Sequence, residues 1–237
     1  MSIDKPHHST TFSRPTLLDR VLGGCVVLVL PVLLTLLSVR LVMTPLFLQL
    51  EYNRPGFPED VYGFTREDRL EYGPYALNYL FNSAGIEYLG DLTFPDGRPM
   101  YNARELRHME DVKDVAQVAF GLLFWGMIFT LMAVIYLGLS PSRRVTLQQA
   151  LMTGSILTLS LIGAIVLVAV VAWNTFFDAF HSVFFESGTW RFAYSDTLIR
   201  LFPEQFWFDA ALIVGVITSA SALLLLLLTW RWGSKGS

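Results

Sequence analysis

Residues 101–139 read YNARELRHMEDVKDVAQVAFGLLFWGMIFTLMAVIYLGL, and this stretch decides the fold. Its second part, residues 115–139, carries no charge. About 20 largely apolar residues are enough for a helix to cross a membrane. The run has none of the apolar–polar alternation of a barrel strand, and a helix satisfies its own backbone groups in lipid. Asn102 followed by Glu105 is a helix-start signature, and the next Gly or Pro is Gly121. One helix is therefore predicted from the polar start straight into the span. Three further runs qualify: residues 21–43, with Arg40 as the only charge, residues 150–173, uncharged, and residues 210–230. The predicted fold class is all-α, a polytopic membrane protein with four transmembrane helices and a mostly helical extracytoplasmic cap.

The composition agrees with these spans. Of 237 residues, 53% are hydrophobic and only 16% charged, against about 25% charged in average globular chains. Mean hydropathy is +0.48. So apolar a chain is not a disordered one. A single cysteine excludes an intramolecular disulfide and any CxxC metal motif, and a net charge of −3 argues against nucleic acid as a partner. Lys5, Arg14, Arg20, Arg143, Arg144, Arg231 and Lys235 share one side of the predicted bundle with only Asp4 and Asp19. Cytoplasmic loops are rich in Lys and Arg. Residues 1–20 and 231–237 are thus expected to be cytoplasmic tails and residues 140–149 a cytoplasmic loop. Residues 44–114 and 174–209 then face outward with 18 of the 20 carboxylates. The first span lies too far from the start, with too poor a cleavage site, to be a removed signal peptide. Leu22-Gly23-Gly24-Cys25 imitates the box before a lipid-modified cysteine, but here the apolar run follows it, so helix packing is the better reading.

In the first outer segment Thr65 and Asp68 form a capping-box pattern. They are expected to open a helix that breaks near Gly73-Pro74, resumes from Ala76 to Phe81, and ends by Gly85. Ile86 to Leu89 and Met100-Tyr101 flank Pro95-Asp96-Gly97, which suggests a short hairpin. On the helix opened by Asn102, Glu105, His108 and Asp111 recur every three residues and share a face. The second outer segment is aromatic at 12 of 35 positions between 174 and 208. An interfacial belt accounts for the rings, but not for Asp178 and His181, three residues apart on what reads as an outward continuation of the third span. A polar pair among phenylalanines is costly unless satisfied or used. Arg200 and Asp209 are a candidate pair, and Arg200 is also a candidate anion ligand. Arg40 is expected to snorkel to the interface, with a carboxylate partner as the alternative.

Nucleophile elbows, Walker loops, HExxH and dinucleotide fingerprints are all missing. Cys25 sits in the inner half of a span, far from His108 and His181, and His7 and His8 lie in the tail. Two histidines with Glu105 or Asp178 have zinc-type donors, but from separate helices without tight spacing. Acid–base chemistry by two imidazoles remains, with no cofactor and no metal.

YNARELRHMEDVK (101–113), FHSVFF (180–185), DTLIRLFPEQFWFDA (196–210) and EYNRPGFPEDVYGF (51–64) together resemble the bacterial integral-membrane family that includes the lipoprotein intramolecular transacylases. The similarity runs from the first span to the start of the fourth; the N-terminal tail of about twenty residues is the departure. The resemblance implies an enzyme of the bacterial cytoplasmic membrane whose partners are diacylglyceryl lipoproteins and membrane lipid. The sn-2 acyl chain would move to the lipoprotein's own N-terminal cysteine amine, giving an N-acyl lyso form. The family's two histidines match His108 and His181, one base and one acid. Glu105, Asp111 and Asp178 would then tune or orient them, and Arg200 or Asn102 would stabilise an oxyanion. Two other readings stand beside it: a non-enzymatic envelope module binding a partner protein, and a lipid-ester hydrolase using the same histidines.

Overall fold

The computed structural model describes residues 14–186 and 188–234, and within them the chain is helical. His7, His8, Lys5 and Lys235 lie outside the described residues. Among the described residues nine helices follow in order: α1 (Leu17–Val42), α2 (Pro45–Tyr52), α3 (Arg66–Tyr79), α4 (Glu87–Gly90), α5 (Ala103–Gly138), α6 (Pro141–Val171), α7 (Trp173–Phe184), α8 (Thr197–Leu201) and α9 (Glu204–Ser234). Helices α1, α5, α6 and α9 are long and apolar enough to cross a membrane. They run up, down, up and down, so the turn between α5 and α6 lies at the same end as the start of α1 and the end of α9.

Close approach at small residues holds this bundle together. A methyl group placed on Gly23 would stand 3.0 Å from Thr146 Cγ2, and one on Gly154 2.9 Å from Leu30 Cδ2. Gly23 thus packs, as expected for the segment before Cys25. Deeper in the bundle, the fully buried Thr218 hydroxyl donates to Ser38 Oγ at 2.9 Å. Arg40 reaches towards the cap end and pairs with no carboxylate among the described residues. Its guanidinium lies over the Phe81 ring at 4.4 Å and donates to the Met43 carbonyl.

Helices α2, α3, α4 and α8 form the cap layer, with a core that includes Ala76, Tyr79, Leu89, Tyr101, Met109 and Leu201. A second cluster of Val42, Phe47, Tyr52, Leu77 and Phe206 joins the layer to α1 and α9. Capping boxes open α3 at Thr65 with Asp68 and α5 at Asn102 with Glu105. The Asn102 helix does run unbroken into the span.

Three local expectations are corrected. Helix α3 passes through Gly73-Pro74 without a break and stops at Tyr79. Gly73 packs face to face with Tyr52 and Leu48, and this tertiary contact outweighs the lost backbone bond of Pro74. The turn at Pro95-Asp96-Gly97 exists, with Gly97 at φ +81° and Thr93 bridged to Pro99. However, Ile86 to Leu89 enters α4 instead of forming a strand, since Leu89 is drawn into the cap core. The third span does not continue straight: Ala172 leaves helical geometry at φ −142°, ψ 58°, and α7 restarts at Trp173. Trp173 there packs on Phe176, Phe177 and Phe208.

Candidate functional site: a histidine pair in an aromatic enclosure

About three turns of polar helix precede the apolar run of α5, and His108 stands on them. Val115 is seven residues further on, so the imidazole sits ahead of the spanning segment. His181 stands on α7, beyond the break that ends α6. The fold brings the two rings together at the cap end of the bundle, with centroids 6.4 Å apart and planes within 24° of parallel. Phe185 and Phe192 meet His108 edge-on at 5.1 and 5.3 Å. Phe177 and Trp190 cover His181 at 4.0 and 4.8 Å.

This enclosure sets the charge state of both rings. Burial among apolar rings disfavours imidazolium. It pushes the pKa of His108 down to about 4, with the nearby His181 adding to the effect. His181 is also lowered by burial, opposed by its bond to Phe177 and by the field of Asp178. Both rings are therefore neutral near pH 7. His181 Nδ1 lies 2.8 Å from the Phe177 carbonyl oxygen. A carbonyl only accepts, so Nδ1 carries the proton and Nε2 keeps its lone pair. His108 Nδ1 is buried with no hydrogen-bond partner.

The five expected helpers take different places. Glu105, 1% exposed, accepts from the backbone N–H groups of Asn102 at 2.8 Å and Leu198 at 2.7 Å, so it fastens α8 to α5 and does not orient His108. Asn102 caps α5 and donates to Asp196 Oδ1 at 3.2 Å. Asp111 is half-buried on the next turn after His108. Asp178 pairs with Arg191 at 3.0 Å and reaches His181 only through its field. Arg200 does not pair with Asp209. It binds Asp60 at 2.9 Å, donates to the Tyr62 carbonyl and stacks on Phe64. Asp209 instead takes Arg54. Arg200 is thus engaged in structure rather than free to meet an oxyanion. Among the described residues no cluster of three metal-type side chains occurs.

Sequence reasoning missed the rings that do the enclosing. Aromatic density was visible, but not that Phe177, Phe185, Trp190 and Phe192 would turn towards the histidines. A cavity of about 660 Å³ lies alongside, lined by Arg69, Trp173, Arg200 and Phe208 among others. Trp173 of this lining also packs on Phe177, which in turn covers His181.

Four apolar helices under a helical cap, with two neutral imidazoles at their junction, define a multi-pass membrane protein with a ring-enclosed histidine pair. The family described as lipoprotein intramolecular transacylase Lit matches residues 24–207, and the chain belongs to it; it is a transferase of the membrane-integral kind. A curated relative from Aquifex aeolicus, described as an uncharacterized protein, is 29% identical over 207 residues, covering 87% of this chain and 92% of its own. The lipoprotein intramolecular transacylase Lit of Bacillus cereus has a similar structure, with a TM-score of 0.76 at 21% identity over 92% of this chain and 97% of that one. The same protein with one histidine changed to arginine gives 0.70 at 19% identity, over 92% and 93%. At these identities the two structures speak for the fold.

Proposed function

We propose that this transacylase moves the sn-2 acyl chain of a diacylglyceryl-modified lipoprotein onto the α-amine of the same molecule's N-terminal cysteine. The product is an N-acyl, lyso-form lipoprotein. The single observation that carries this reading is the pair of neutral, ring-enclosed imidazoles, His108 and His181, 6.4 Å apart. An α-amine has a pKa of about 7.7–8.0, so near neutral pH a useful fraction is already nucleophilic. It attacks the ester carbonyl, and His181 Nε2 takes the proton that the new amide nitrogen sheds. The imidazolium so formed returns that proton to the departing glycerol oxygen. One proton passes from nitrogen to oxygen, and the protein forms no covalent bond. His108, held neutral, acts as an N–H donor to the carbonyl oxygen as charge builds there; a buried neutral imidazole suits that role. An initial base-plus-imidazolium pairing fits less well, because neither ring is charged at rest.

Nucleophile and ester belong to one molecule, so holding them within reach supplies much of the rate. The crowd of basic residues at the terminus end supports a cytoplasmic location for both termini, with the histidine pair at the outer face of the bacterial cytoplasmic membrane. Expression in a bacterium that lacks N-acylation, followed by mass spectrometry of a reporter's N-terminal lipopeptide, tests the reaction. Wild type yields the N-acyl lyso form, and His108→Ala and His181→Ala do not. Released fatty acid without N-acylation would mean a hydrolase. Neither product would mean a binding module.

A further inference from the structure

Helices α5 and α6 touch at the terminus end, and towards the cap their facing stripes become exposed. At the terminus end, Gly138 lies against Leu147, and Val26, Ala133 and Ala150 form one buried cluster. At the cap end α5 instead meets α7, through the ring contact of His108 with His181. At 100° per residue, His108, Val115, Ala119, Leu122 and Gly126 lie along one stripe of α5 that continues to Ala133. The matching stripe of α6 runs from Ala150 through Leu157, Leu161 and Ala164 to Val168. Burial along these stripes falls towards the histidines: Ala150 is 5% exposed, whereas Leu122 is 60% and Leu161 and Val168 are both 47% exposed. In its upper half α6 packs on α9, where Gly215 approaches Val166 and Ile162. Leu33, against Gly126, and Leu30, against Gly154, place α1 at the floor.

The result is an uncharged fork, open to the side, floored by α1, with the two imidazoles across its top. From Val115 to Gly126 its α5 wall measures about 16 Å at about 1.5 Å per residue. That depth equals one leaflet of a hydrocarbon core of about 30 Å. The cavity beside Trp173 and the one beside Asn102 are lined by neither histidine, whereas the fork ends at both.

We propose that the fork between α5 and α6 receives the acyl chains of the diacylglyceryl anchor, which enters sideways from the lipid and stops with its ester groups at His108 and His181. This rests on the reaction proposed above and adds where the substrate is held. The fit is one of depth, absence of charge and continuity with the imidazoles. It predicts that chain length is sensed between the two helices, far from the reacting atoms.

The test uses the full chain in proteoliposomes with dipalmitoyl and short-chain diacyl lipopeptides. Ala164→Trp and Leu122→Trp fill the fork and should lower kcat/KM for the dipalmitoyl substrate about tenfold, and much less for the short-chain one. Leu228→Trp, on an exposed face of α9, should leave both values near wild type. Fork variants that match Leu228→Trp on both substrates overturn the proposal. Should a tryptophan variant fail to fold, a photoreactive benzophenone at position 164 in the His181→Ala background should capture an acyl-labelled lipopeptide more strongly than one at position 228. Equal capture at both positions overturns it as well. Capture at position 164 with no N-acyl product from the unsubstituted chain would refute the reaction and keep the fork. Normal product with indifferent fork variants would refute the fork alone.

Discussion

At the scale of single residues, the decisive atom is His181 Nδ1, whose donation to the Phe177 carbonyl leaves the Nε2 lone pair for the proposed role of base. A backbone carbonyl four residues back along the same helix sets this tautomer, and no charged partner is needed. His108 differs: burial holds it neutral, and its proposed task is donation. His108→Gln, which keeps an N–H donor, should therefore retain more N-acylation than His108→Ala. His181→Gln should be as inactive as His181→Ala, each losing about 10²-fold or more. Equal losses for the two His108 variants would remove the donor role. The pH dependence follows from the same charge states. With the pKa of His108 lowered to about 4 and that of His181 also lowered, neither ring changes charge between neutral and mildly alkaline pH. The substrate amine, near 7.7–8.0, should then govern the rate, which is half-maximal near pH 8 and levels off about one pH unit higher. A half-maximum near pH 6.5 would mean that an ordinary imidazole controls it. Both histidines and their i, i+3 carboxylates were legible in the sequence. That Glu105 and Asp178 face other partners was not, because helical spacing fixes a shared face but not what lies opposite.

At the scale of elements, sequence signals worked where the cause is local and failed where it is tertiary. The Asn102 and Thr65 caps and the apolar lengths were readable because each depends on neighbours within a turn. The unbroken α3, the short α4 and the Ala172 break each depend on a distant contact: Tyr52 on Gly73, the cap core on Leu89, and Phe208 on Trp173. Glu105 is the element-scale residue that matters most, because it closes the α5 capping box and holds the first turn of α8 with one carboxylate. Glu105→Ala leaves two N–H groups without this acceptor, and should lower stability by about 1–3 kcal/mol. A melting curve in detergent checks this; an unchanged midpoint would mean the clasp contributes nothing.

For the molecule as a whole, charge and apolarity are sorted along the bundle axis. The four spans dilute the overall charge, while the cap layer and its junction carry nearly all the carboxylates. Sidedness should follow this sorting. With Cys25→Ala as background, Arg98→Cys in the exposed turn at Gly97 should react with a membrane-impermeant maleimide in intact cells. Ser142→Cys beside the α5–α6 turn should react only after permeabilisation. The reverse pattern would place the histidine pair on the cytoplasmic face.

If His108 and His181 together move one acyl chain within one lipoprotein, a mass spectrum of the reporter lipopeptide made with the sn-2 chain isotopically labelled reads the transfer directly. The label should move from glycerol to the cysteine nitrogen with no change in total mass, and substitution of either histidine by alanine should stop the transfer. Label that stays on glycerol in the wild type, or that still moves when both histidines are alanine, would contradict it.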